Sequence, residues 1–171
     1  MSATQGLLDA VLRNPRAQAR NAHGINPAGR CVVYWMQRAQ RTHDNPALDC
    51  AVECANALKL PLAIFLAPRA GYPNATLRAY AFLADGFADV AAGARERGAR
   101  LVFRPSRPSL PAFCAEVDPA LVVVDENPLR EPERWRQKAA ALLRVALVSV
   151  DADAVVPMRL FPRLEFAART I

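Results

Sequence analysis

The sequence predicts a doubly wound α/β domain: five parallel strands in the order 3-2-1-4-5, with helices on both faces. Two observations carry this. Three apolar runs, within Cys31–Met36, Leu62–Ala67 and Leu121–Asp125, are unbroken and too short for helices, as strands buried on both faces are. Between them, apolar residues recur at helical spacing, so strands and helices alternate along the chain.

Strand one, Cys31–Met36, runs into a polar loop. Asp44 is placed to cap the next helix, with Pro46 in its first turn, where a missing N–H costs nothing. Helix one, Pro46–Lys59, gathers Leu48, Val52, Ala55 and Leu58 on one face. Strand two, Leu62–Ala67, leads through a turn-rich connector into helix two, about Thr76–Arg97. There Leu77, Tyr80, Ala84, Phe87 and Ala91 share a face, and Gly98 stops the helix. Strand three, Arg100–Phe103, is short; an irregular stretch and a modest helix three, Leu110–Val117, follow it. After strand four, Leu121–Asp125, the pair Asn127-Pro128 turns the chain into helix four, Glu131–Leu143, with Trp135, Ala139 and Leu142 facing inward. Strand five is Ala146–Val150. Strand one is apolar enough to be central, and right-handed crossovers then fix the Rossmann-like order. The switch point falls between strands one and four, where Met36, Gln37 and Arg38 meet Asp125, Glu126 and Asn127. Ligands of open α/β sheets sit at such points.

At 171 residues the chain is one domain by length, expected over residues 30–157. Residues 1–29 hold only Leu7, Leu8, Val11 and Leu12 as an apolar group and are expected to form a leader, packing loosely or against something outside the chain. No run of about 18 apolar residues is present, and no apolar core precedes a cleavage site near the N-terminus. The net charge of +6 comes almost wholly from arginine. It suits a polyanion such as DNA, but the arginines are scattered as on solvated helix faces. Cys31, Cys50, Cys54 and Cys114 lack metal-ligand spacing and read as small buried thiols of a reducing cytoplasm.

Several chemistries are excluded. No glycines follow strand one, so a dinucleotide there is disfavoured; no phosphate-binding P-loop and no G-x-S-x-G elbow exist. His23 lies in the leader and His43 ahead of a helix, both as solvated loop residues, while Asp151 and Asp153 suit a turn after strand five. The sequon Asn74-Ala75-Thr76 has no secretory signal to give it meaning. No catalytic set and no metal site is assembled. What remains is the switch-point crevice: Met36, Gln37, Arg38, Asp125 and Asn127, with Tyr34 and Trp35 near. That mixture suits a flat, partly polar aromatic ligand; equally, these residues could simply cap strands and pair with one another.

The run Val32-Val33-Tyr34-Trp35-Met36, with Arg38, Gln40-Arg41 and Asp44-Asn45 behind it, resembles the opening of the class II cyclobutane pyrimidine dimer photolyases. The likeness continues through Ala75-Thr76-Leu77-Arg78, Tyr80 and Phe82, then Val124-Asp125, Pro128-Leu129-Arg130 and Trp135. It extends over Val150-Asp151-Ala152, Val155-Val156-Pro157 and Glu165 to Ile171, and so covers about residues 20–171 in order. The resemblance implies light-driven DNA repair, in which a reduced FAD in a C-terminal helical domain gives an electron to a flipped-out pyrimidine dimer. It also implies that the α/β domain harvests light through an antenna such as an 8-hydroxy-deazaflavin, held here by Met36, Gln37, Arg38, Asp125 and Asn127. Two departures bear on that pocket: Gln37 and Ala39 replace the family's Ser and Asp around the first-loop Arg, and Asp153-Ala154 replaces His-Asn.

On the same resemblance, residues 158–171 begin a linker to a helical FAD domain, supplied in cis or in trans. The chain is expected to be an N-terminal fragment or truncated product, inactive in photorepair by itself. Phe161, Leu164, Phe166 and Ile171 have no visible partner. Damaged DNA is met through the FAD domain; this chain's own scattered arginines would bind DNA weakly and in a salt-dependent way. The alternatives are a stand-alone photolyase-like module binding a nucleotide or chromophore, as universal-stress-type proteins do, and an inert remnant. Against the first of these, no glycine-rich nucleotide loop follows any strand.

Overall fold

A computed structural model describes residues 2–69, 71–105, 109–161 and 163. The elements run α1 (Ala3–Leu12), β1 (Ala17–Ala19), β2 (Cys31–Trp35), α2 (Pro46–Leu58), β3 (Leu62–Leu66) and α3 (Leu77–Glu96). They continue with β4 (Arg100–Phe103), α4 (Leu110–Val117), β5 (Pro119–Asp125), α5 (Arg130–Leu142) and β6 (Leu147–Val150). One sheet has the order β1-β6-β5-β2-β3-β4. The five expected strands are β2 to β6 and pair in parallel in the expected order, with β2 and β5 at the centre. Both central strands are buried along their whole length.

The expected leader is instead part of the sheet. Ala17, Gln18 and Ala19 pair antiparallel with Val150, Ser149 and Val148, adding a sixth strand. Arg16 ties this edge down by donating to the carbonyls of Ala154 and Val155, both at 2.7 Å. Leu8 is buried, and Leu7, Val11 and Leu12 pack beside it on the α2 face. Gly29 lies so close to β5 that a Cβ there would stand 2.3 Å from Ala120 N. A three-residue strand has no periodicity to read, which is why the sequence does not announce it.

Alternate sheet residues divide the core in two. Val32, Tyr34, Ile64, Leu121, Val123, Val148 and Val150 meet α1, α2 and the last turns of α3. Val33, Trp35, Phe65, Val122, Val124 and Leu147 meet α4 and α5. Two expected helix faces are set differently. On α5 the inward stripe is Pro132, Arg136, Ala139 and Leu143, while Leu142 is 66% exposed and Trp135 half-buried. On α3 only Gly93 and Ala94 are buried, and Leu77 is 85% exposed. The first half of α3 stands away from the sheet. Phe161 is partly exposed, and Leu164, Phe166 and Ile171 lie outside the described residues.

Candidate binding crevice

β2 delivers Met36 and the loop 37–45 to the carboxyl end of the sheet, and β5 delivers Asp125 beside them. The Asp125 carboxylate accepts the backbone N–H of Gln37 (2.8 Å), of Arg38, and of Ala39 (2.6 Å). Successive amides turned toward one anion form a nest. Asp125 is wholly buried, and that burial raises its pKa against the lowering effect of the three amides. Its oxygens are committed to shaping the loop. Asp44 has a left-handed φ of 47°, and the helix cap is its neighbour, Asn45. Asn45 Oδ1 accepts from Ala47 and Leu48, both at 3.1 Å. Its Nδ2 donates to the Tyr34 hydroxyl, Ala39 O and Arg41 O at 3.1, 3.0 and 2.9 Å. One fully buried amide thus joins β2, the loop and α2.

Above the carboxyl ends of β2 and β3 opens a cleft of about 1340 Å³, larger than most small-molecule sites. Met36, Gln37, Arg38 and Asn127 line it, whereas Asp125 lies beneath the loop and does not. Trp35 and Phe65 face it from the sheet; Phe65 is stacked on Phe113 with ring centres 4.4 Å apart. Trp135 of α5 receives Tyr72 edge-on at 5.8 Å and the Arg69 guanidinium at 5.0 Å. The Tyr80 hydroxyl donates to Arg69 O at 2.8 Å and accepts from Tyr72 N at 3.2 Å, tying α3 to residues between β3 and α3. Arg38 itself swings outward to pair with Asp153 at the surface.

Sequence reasoning missed Arg136. It is 1% exposed and donates to Asn127 O at 2.6 Å, to Glu133, and to Gln37 Oε1 at 3.4 Å. It therefore braces the two loops that meet at the switch point. Burial lowers its pKa, with Glu133 opposing. Burial would raise Glu133 in turn, but Arg136 and Arg20 outweigh it and hold the carboxyl below its usual range. An arginine at position i+4 from Pro132 and i−3 from Ala139 was the available signal.

The helix N-termini nearby do not invite phosphate. The amides of α2 are taken by Asn45, and α5 carries Glu131 and Glu133 in its first turn. Among the described residues no three His, Cys, Asp or Glu side chains could hold a metal ion, and no helix is long and apolar enough to cross a membrane. His23 is half-buried and His43 exposed. Asp151 closes a turn by accepting from Asp153, Ala154 and Met158, each at 3.1 Å. Cys31, Cys54 and Cys114 are buried and Cys50 half-buried; burial pushes the Cys114 thiol up to about 12.

The family model for DNA photolyase matches residues 32–163, nearly the whole of this sheet and its helices. The chain belongs to the DNA photolyase family. It is 41% identical over 142 residues to a deoxyribodipyrimidine photo-lyase of Methanothermobacter thermautotrophicus, covering 81% of this chain and 32% of that protein. With the photo-lyase of Arabidopsis thaliana it shares 32% identity over 145 residues, covering 82% and 29%. The chain thus spans about a third of the length of the curated relatives it matches. A class III photolyase structure from Agrobacterium tumefaciens matches with a TM-score of 0.53 and 23% identity, over 72% of this chain and 26% of that one, and shares the fold.

Proposed function

We propose that this chain is the light-harvesting α/β portion of a class II photolyase, and that its cleft holds a flat antenna pigment of the 8-hydroxy-deazaflavin type. The observation that carries the reading is the cleft itself: large, walled by Trp35, Phe65, Tyr72 and Trp135, and edged by the amides of Gln37 and Asn127. These residues fit such a pigment by size and by chemistry. The aromatic faces suit a planar ring system, and the side-chain amides can meet its polar edge. Met36 and Arg38 complete the rim, while Asp125 acts at one remove by holding the loop amides. When bound, such a pigment supplies violet-to-blue absorption that protein side chains lack.

On this reading the electron-donating FAD and most of the surface for damaged DNA belong to a helical domain, joined in cis or in trans through residues 158–171. The chain alone then has no photorepair activity and binds DNA weakly, with steep salt dependence. The test is the absorbance of the chain purified from a host that makes deazaflavins. A near-stoichiometric violet-to-blue band supports the proposal. Absorption at 280 nm alone, or tight salt-resistant binding to damaged DNA, counts against it.

A further inference from the structure

The charged side chains that line the cleft are all of one sign: Arg38, Arg41, Arg69 and Lys138, with no aspartate or glutamate among the described residues that face it. Asp153 neutralises Arg38 at the surface. The other three make no ion pair among the described residues, and Arg41 donates to the carbonyls of Asp44 and Ala152. The carboxylates at this end of the sheet are engaged elsewhere: Asp125 beneath the loop, Glu131 with Arg134, and Glu133 with Arg20 and Arg136. Half-buried Glu126 does not line the cleft. A concave, largely apolar site lined by one sign of charge concentrates its field and draws ions of the opposite sign.

Two of these cations meet at Trp135. The Arg69 guanidinium lies over its ring, 5.0 Å from the centre, and Lys138 follows Trp135 by three residues, so it stands on the same side of α5. A guanidinium held over an aromatic ring still presents N–H groups to an oxyanion, and a neighbouring ammonium adds a second charge. The acidic first turn of α5 bars a phosphate from the helix N-terminus, but Lys138 lies about two turns beyond Glu131. A DNA backbone is matched less well, because it calls for a stripe of cations on an open face, and these line a concave aromatic wall. Resting on the antenna reading, we propose that the pigment is itself an anion: its side chain ends in a phosphate monoester, which Arg69 and Lys138 bind beside Trp135 while the ring fills the apolar part of the same cleft. Two cations then meet a group that carries close to two negative charges at neutral pH.

The test compares an 8-hydroxy-deazaflavin bearing a sugar-alcohol side chain with the terminal phosphate ester of the same molecule, by fluorescence titration of the full chain at low salt. The ester should bind about 10–100-fold more tightly, the range for hydrogen bonds to charged groups, and the advantage should shrink as salt rises. Lys138→Gln, at an exposed position, and Arg69→Gln should each cut that ratio several-fold, and the double variant should bring it near unity. Inorganic phosphate should compete with the ester and not with the alcohol. Equal binding of the two pigments overturns the phosphate site and leaves the antenna reading standing, whereas saturable binding of neither contradicts both. A preference undiminished in both variants would overturn the assignment. So would displacement of the ester by an undamaged oligonucleotide more readily than by inorganic phosphate at equal phosphate concentration, which would give these cations to DNA.

Discussion

The backbone N–H of Ala39 donates to the Asp125 carboxylate at 2.6 Å, joining the loop after β2 to the end of β5 across the switch point. With the amides of Gln37 and Arg38 on the same carboxylate, one side chain sets the path of the loop that edges the cleft. Asp125→Ala would strand three amides, and stability should fall by roughly 3–5 kcal/mol, at about 1–3 kcal/mol for each buried unmet group with partial relaxation. Asp125→Asn keeps one acceptor oxygen and should fall between. Urea denaturation of the three chains checks the order.

Asn45 predicts an unusual equivalence. As a helix cap alone it would be replaced well by Asp, since both accept from the first-turn amides. Here its Nδ2 also serves Tyr34, Ala39 and Arg41, and a carboxylate cannot donate. Asn45→Asp should therefore destabilise nearly as much as Asn45→Ala, each by about 2–4 kcal/mol. Chemical denaturation decides; an aspartate chain as stable as the parent would reduce Asn45 to a cap.

Gly93 is required by contact with Thr42. A Cβ at position 93 would lie 2.1 Å from Thr42 Oγ1 and 3.0 Å from its Cβ. Gly93→Ala should destabilise, and Thr42→Ala should recover part of the loss, with a coupling of about 1–2 kcal/mol in a double-mutant cycle. At Gly29 the crowding atoms are backbone of Pro119 and Ala120, so Gly29→Ala should have no such rescue.

Two carboxylates should respond to pH in opposite directions. Burial would raise Asp151, but the amides of Met158, Ala154 and Asp153, helped by Arg16, outweigh it and lower its pKa. Its contribution is present above the unfolded value of about 3.9 and is lost as pH falls through the lower folded value. Asp125 is raised by burial, so its contribution is greatest below the unfolded value and is lost as pH rises through the folded one. Carbon-detected carboxyl titration should place the Asp151 midpoint below, and the Asp125 midpoint above, that of exposed aspartates. The reverse order would contradict the dominance of burial at Asp125 and of the amides at Asp151.

The parallel core was legible because it is written in composition: Val32 to Met36 and Leu121 to Val124 are apolar without interruption, and central strands need little else. The switch point followed from connection rules, and Met36, Gln37, Arg38 and Asn127 do line one cleft. Three things were hidden for physical reasons. β1 is too short to show a period. Arg136 sits on an inward stripe where charge is not expected, which shifted the reading of α5 by one residue toward Trp135 and Leu142. Leu77 suggested a packed face on α3 that the structure turns to solvent. Asp125 stands at the end of β5, but it does not line the cleft as the sequence reading expected; its commitment to three amides depends on the loop's path, which no spacing reveals.

The central claim is that the cleft above β2 and β3 binds a planar pigment. Fluorescence titration of the chain with an 8-hydroxy-deazaflavin tests it most directly, because Trp35 and Trp135 both line the cleft and should be quenched on occupancy. The account predicts saturation at one pigment per chain, weakened up to about tenfold by Gln37→Ala, the loss expected for one hydrogen bond. A parent chain whose tryptophan emission shows no saturable change with the pigment would contradict it.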